Sequence, residues 1–164
     1  MDLKVFQMSI RKVYLLEAHD HIDSVHEEFM TIGFFETDQY CRKVIARYKK
    51  LPGFCMDSCE FVIRVFELEE EIPEDKGCVY YVQTYADHGP ENDESVLYEG
   101  VYQSEELATE MAARFQNDAE SQNRIDQNRE LMQQEINTII DHYEINRCFW
   151  EEGFERYTWE AEED

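Results

Sequence analysis

Lysine is missing from residues 77–164, which hold 5 Arg against 22 Asp and Glu, a net of −17. Residues 1–76 hold 10 Lys and Arg against 16 acids, a net of −6. The formal charge of the 164-residue chain, −23, is therefore concentrated in one half. Such asymmetry points to an interaction surface, with a solubilising acidic coat as the plainer alternative. The anionic balance disfavours nucleic acid and anionic lipid as direct ligands. No stretch approaches the roughly 20 apolar residues of a membrane span. Met1-Asp2-Leu3-Lys4 is no charged leader before an apolar run, so a secretory signal is not expected. Glycine is scarce, at six residues, and no G-x-S-x-G, P-loop or G-x-G-x-x-G pattern occurs. The five cysteines contain no C-x-x-C; Cys55 and Cys59 stand one residue too far apart. They read as reduced, mostly buried thiols, and the expected compartment is the cytoplasm. These absences lead us to expect neither an enzyme nor a bound cofactor.

What is present is ample core material: 43% hydrophobic and 13% aromatic residues. It is arranged in a duplication. Val13-Tyr14-Leu15-Leu16 is answered by Val79-Tyr80-Tyr81-Val82, and Ile32-Gly33-Phe34-Phe35-Glu36-Thr37 by Glu99-Gly100-Val101-Tyr102-Gln103-Ser104. Helical spacing follows each second segment. Tyr40, Val44, Ile45, Tyr48 and Leu51 stand behind a Thr37 cap, and Leu107, Ala108, Met111, Ala112 and Phe115 behind Ser104. Pro52-Gly53 is expected to stop the first helix. β-rich runs close the units at Phe61–Phe66 and Thr138–Ile145. The fold class expected is α+β: two tandem β-β-α-β units, 1–72 and 77–164, packed as one pseudo-symmetric globule. The acidic linker Glu69–Gly77 joins them, and Leu3–Ile10 is a candidate extra strand. Residues 116–130, almost wholly polar, extend the second helix or helical hairpin, or else form a disordered insertion.

The segments VYLLEAHDHID, TIGFFET, KKLPGF and FVIRVFELEE, with FWEEGF at Phe149–Phe154, resemble a bacterial domain family of unknown function. Its members look like a strand opening on VYxL, an IGxY-Ser turn into a helix, KxLPGF, a strand and a closing W-x-E-G-F. In this chain KLPGF occurs once, after the first unit, and WEEGF once, after the second. The resemblance implies a fold and a bacterial or mobile-element setting; it carries no catalytic residue. Small acidic α+β proteins of this look are common among immunity proteins that guard cells against toxin domains.

His19-Asp20-His21, with His26 nearby, is the best metal candidate, since imidazoles and carboxylates crowd what reads as a loop. No Cys or Glu-x-x-His partner is spaced to complete a set, so no metal site is expected. His88 and His142 lack companion motifs, and His142 should face outward. The most informative stretch is Trp150–Asp164, WEEGFERYTWEAEED, seven acids against one Arg, threaded with aromatics. Aromatic anchors amid charge are the composition of a docking segment. Trp150 and Phe154 are expected inward, with Trp159 and the acids outward. The expected partner-binding residues are Glu151, Glu152, Glu155, Trp159 and Glu160, with Glu91, Asp93 and Glu94 as a second cluster and Asp118 and Glu120 as a third. All three fall in the acidic half.

Two functions of different class fit. One is a cytosolic immunity or antitoxin-type inhibitor whose acidic surface covers the active site of a basic toxin domain, such as a nuclease or other RNA-targeting enzyme. The other is a DNA mimic of the anti-restriction or anti-CRISPR kind. A compact chain this long spans roughly 40 Å, and 40 Å of duplex carries about 23 charges. A scaffold without a specific partner is the third reading. The aromatic-laced end favours the inhibitor.

Overall fold

A computed structural model describes residues 11–22, 27–68, 77–87, 95–127 and 135–155. The candidate strand Leu3–Ile10 lies outside them. The fold is α+β, with two helices and two three-stranded antiparallel sheets. In chain order the elements are β1 (Arg11–His21), β2 (Glu27–Phe35), α1 (Asp38–Tyr48), β3 (Cys59–Leu68), β4 (Cys78–Asp87), β5 (Ser95–Tyr102), α2 (Glu105–Gln127) and β6 (Glu135–Glu144). The sheets run β2-β1-β3 and β5-β4-β6, so in each the first strand of its β-β-α-β set is central. A register shift interrupts each central strand, at Leu16/Glu17 and at Thr84/Tyr85.

The helix starts follow from their caps. The Tyr40 N–H donates to Thr37 Oγ1 (3.0 Å) and the Leu107 N–H to Ser104 Oγ (3.1 Å), each satisfying an orphan donor of the first turn. Asp38, Glu105 and Glu106 add negative charge at the positive helix ends. Gly53, at φ 78°, takes the left-handed conformation in the turns beyond α1. The polar stretch after Phe115 is helical through Gln127, and its one buried apolar residue among those described, Ala119, faces inward.

The chain folds as two compact units: Phe66–Ile145 with Arg11 and Lys12 forms one, and Val13–Val65 forms the other together with Asn146 onward. The closing segment thus belongs with the first β-β-α-β set, whereas the sequence boundary placed it in 77–164. The second set is an insertion within the first. The cause is long-range pairing. The Asn146 N–H donates to the Phe34 carbonyl (2.7 Å) and the Phe149 N–H to the Ile32 carbonyl (2.8 Å), along the free edge of β2. A Cβ at Gly33 would collide with the Arg147 carbonyl oxygen, so glycine permits the approach. Asn146 itself turns the chain at φ 68°, a conformation asparagine tolerates, and its Oδ1 accepts from the Glu36 N–H (3.1 Å).

The core of this unit is built from Leu16, Ile32, Phe35, Cys41, Val44, Tyr48 and Phe54. Full burial of each large side chain contributes roughly 1.5–3 kcal/mol. The Phe66–Ile145 unit buries Val79, Tyr81, Val82, Ala86, Val101 and Ala108.

Candidate partner-binding surface

The closing segment is held from both ends of its turn. Its Phe154 N–H donates to the Pro52 carbonyl (3.0 Å), and the Phe154 ring meets Phe54 edge-on at 4.9 Å. The two glycine turns of KLPGF and WEEGF fit each other. A Cβ on Gly53 would strike Phe154, and one on Gly153 would strike the Pro52 carbonyl oxygen. Gly153 has φ 78°, and its N–H closes the turn onto the Trp150 carbonyl (2.9 Å). Further back, the buried Tyr48 hydroxyl donates to the Phe149 carbonyl (2.7 Å), and Arg147 lies over the Phe149 ring at 5.3 Å. Burial pushes the Tyr48 phenol up to about 12, with Cys148 a lesser cause. Burial, followed by the charge of Asp38, likewise raises the Cys41 thiol to about 12. Neither group is a nucleophile at neutral pH.

On this rigid turn Glu151, Glu152 and Glu155 are exposed. Phe154 is half-buried, as its sequence position suggested, but Trp150 is not inward. It is 47% exposed at φ 61°, a left-handed conformation unusual for a bulky residue. The turn that seats Phe154 on Phe54 rolls Trp150 outward, leaving only an edge contact with Phe154 at 6.4 Å. Trp150 is the candidate site residue that sequence reasoning placed inward. Its signal was the W-E-E-G-F spacing itself, in which one aromatic docks and the other is left beside two carboxylates.

The remaining expected residues separate. Asp118 and Glu120 lie on α2 in the Phe66–Ile145 unit. Asp118 is exposed, but Glu120 is half-buried and its Oε1 accepts from Gln116 Nε2 (2.8 Å). Gln116 in turn donates to the Ile136 carbonyl (3.0 Å) and accepts from Thr138 Oγ1 (2.7 Å), so Glu120 sits in the network that fixes α2 to β6. Glu91, Asp93, Glu94, Trp159 and Glu160 lie outside the described residues. By sequence, residues 66–145 carry 21 acids and 4 bases, a net of −17, so the charge asymmetry follows the inserted unit.

The His19-Asp20-His21 motif is part of β1, not a loop. Strand alternation buries Asp20, whose Oδ1 accepts from Ser58 Oγ (3.0 Å), and puts Glu17, His19 and His21 on the other face. There His19 Nε2 meets Glu17 at 2.8 Å, and His21 meets Glu27 and Glu60, each at 3.3 Å. Among the described residues no group of His, Cys, Asp and Glu is arranged to hold a metal ion. His26 and His88 lie outside them, and His142 is exposed, stacked on Tyr80 at 4.9 Å. No helix among the described residues is long and apolar enough to cross a membrane. Comparison with known protein families, curated proteins and solved structures found no match.

Proposed function

We propose that this protein is a non-enzymatic, cytoplasmic binding inhibitor of the immunity or antitoxin type, which neutralises a basic toxin domain by laying acidic surface over its active site. The observation that carries the reading is Trp150, exposed next to Glu151 and Glu152 in sequence on a turn held by Gly153 and Phe154. A preordered aromatic flanked by carboxylates supplies both an anchor and a steering charge at little ordering cost. The two β-β-α-β sets, with the same strand order and a register shift in each central strand, support a duplicated, pseudo-symmetric unit. The fit of the Pro52-Gly53-Phe54 turn against Gly153-Phe154 supports the family resemblance, because it makes KLPGF and WEEGF parts of one structural unit.

The test begins with affinity capture of the tagged chain from its native lysate, followed by stopped-flow association with the captured partner. One small basic domain at equimolar stoichiometry is expected. Replacing Glu151, Glu152, Glu155 and Glu160 by Gln should slow association about tenfold at low salt and flatten its salt dependence, because steering is a long-range, screened effect. Trp150→Ala should instead speed dissociation by roughly 30-fold, the scale of a 2 kcal/mol anchor. Unchanged kinetics in both variants would remove this face from the reading. Capture of a large nucleic-acid enzyme, released by competing duplex, would replace it with DNA mimicry.

A further inference from the structure

The longest acid-free run in the chain is residues 39–56, which carry Arg42, Lys43, Arg47, Lys49 and Lys50. α1 and the turn beyond it concentrate these five cations on a molecule of net −23. The helix dipole accounts for basic residues in the last turn and just beyond. It does not account for Arg42 and Lys43 in the first half of the helix, nor for the trough beside them. Between α1 and β3 runs an open groove of about 740 Å³, walled by Arg42, Lys49 and Lys50 and floored by Ile45, Ala46 and Phe61. The floor is firm: Phe61 packs on Phe54 at 5.9 Å, and Phe54 on Tyr48 at 5.3 Å. Arg42 is anchored by Asp38 (2.6 Å), its side chain 72% exposed. Among the described residues Lys43, Lys49 and Lys50 are exposed and make no ion pair within the unit.

We infer that this groove binds an acidic peptide segment of a partner protein, with an apolar side chain seated between two carboxylates. Charge complementarity selects the class. A polynucleotide would run past the patch and meet the acidic surface of the rest of the chain, whereas a short peptide confines its charge to the groove, within a Debye length of about 8 Å. Geometry selects the spacing. Arg42 and Lys49 are seven helical residues apart, roughly 10 Å along the axis. An extended peptide rises about 3.3 Å per residue, so carboxylates three or four positions apart reach both ends. The groove lies on a surface of opposite sign to that of the proposed inhibitor face and does not depend on that reading.

The experiment is fluorescence anisotropy of a labelled heptapeptide, GEALAEG, titrated with the full chain at low and moderate salt. Saturable binding is expected, at least tenfold weaker for the GQALAQG peptide and for a Lys49→Glu, Lys50→Glu chain. A Lys49→Gln, Lys50→Gln chain should fall between. Absence of saturable binding, or equal affinity for the two peptides, overturns the inference whether or not the variants fold. Equal affinity of the charge-reversed chain does so as well. A concentration-dependent doubling of mass in sedimentation, lost in the charge-reversed chain, would assign the groove to a second copy instead.

Discussion

Tyr48 and Cys41 sit about two helical turns apart on α1, both fully buried, and both are held in their neutral forms by that burial. Their folded-state values near 12 stand above the ordinary 10.0 and 9.0. An acid whose pKa is raised on folding contributes stability that is fully present below its unfolded pKa and is lost as pH climbs through the window between the two values. The contribution of these two groups should therefore be constant up to about pH 9 and fall from there to about pH 12. Cys41→Ala should abolish the fall between about pH 9 and 10 and lessen it above, where both groups act. Tyr48→Phe should lessen it only above about pH 10, although Tyr48→Phe also orphans the Phe149 carbonyl and lowers stability at neutral pH. Thermal unfolding midpoints measured across this range decide the matter; a fall that is the same in all three chains would show that these groups are not its source. Gly33 acts at the same scale with a different physics, as a missing Cβ where the Arg147 backbone passes.

At the scale of elements, α2 is held to its sheet by a relay of side chains. Thr84 on β4, fully buried, bonds Thr138 on β6 (2.8 Å), which donates to Gln116 on α2, which donates on to the Ile136 carbonyl. Cutting such a relay at one member leaves buried polar atoms short of partners, at roughly 1–3 kcal/mol each. Gln116→Ala is expected to lower the unfolding free energy by about that amount in denaturant titration. The double change Thr84→Val with Thr138→Val, which removes both hydroxyls, should cost less than Thr138→Val alone. The opposite order would mean that the relay is incidental. These elements were largely legible in the sequence, because apolar periodicity and the Thr37 and Ser104 caps are local signals. The docking of Asn146–Phe154 was not. It rests on a backbone close approach at Gly33 and on left-handed Asn146, Trp150 and Gly153, and no pattern of side-chain polarity encodes which distant edge a short segment will meet. For the same reason the candidate site was half legible: its carboxylates were visible, whereas the outward roll of Trp150 depends on which aromatic of the pair wins the pocket at Phe54.

For the whole molecule, the interleaved chain path makes the last described residues essential to the first unit. Ending the chain after Ile145 removes two edge hydrogen bonds, the acceptor of Tyr48 and the Phe154–Phe54 contact. The half-buried Phe154 ring alone contributes less than the roughly 3–5 kcal/mol of a fully buried aromatic, and the lost hydrogen bonds add to it. Amide exchange in β2 and α1 should accelerate at least a hundredfold in the shortened chain, while protection in β4 stays within a few-fold. Simultaneous loss in both sheets would show that the two units unfold as one.

The Ile145 N–H bonds the Gly77 carbonyl at 2.5 Å, so the chain just before β4 and just after β6 is fastened side by side. That clasp has a consequence for the order of events at the ribosome. About eighty residues separate β3 from the segment that completes its sheet, a wait of roughly 4–16 s at 5–20 residues per second. During that interval β2 presents an unpaired edge, the state most open to wrong partners. Once the insert has folded, the stretch from Gly77 to Ile145 spans the distance of a single hydrogen bond. The segment returning to β2 then closes a much shorter effective loop, and most of the detour no longer carries the entropy of an open chain.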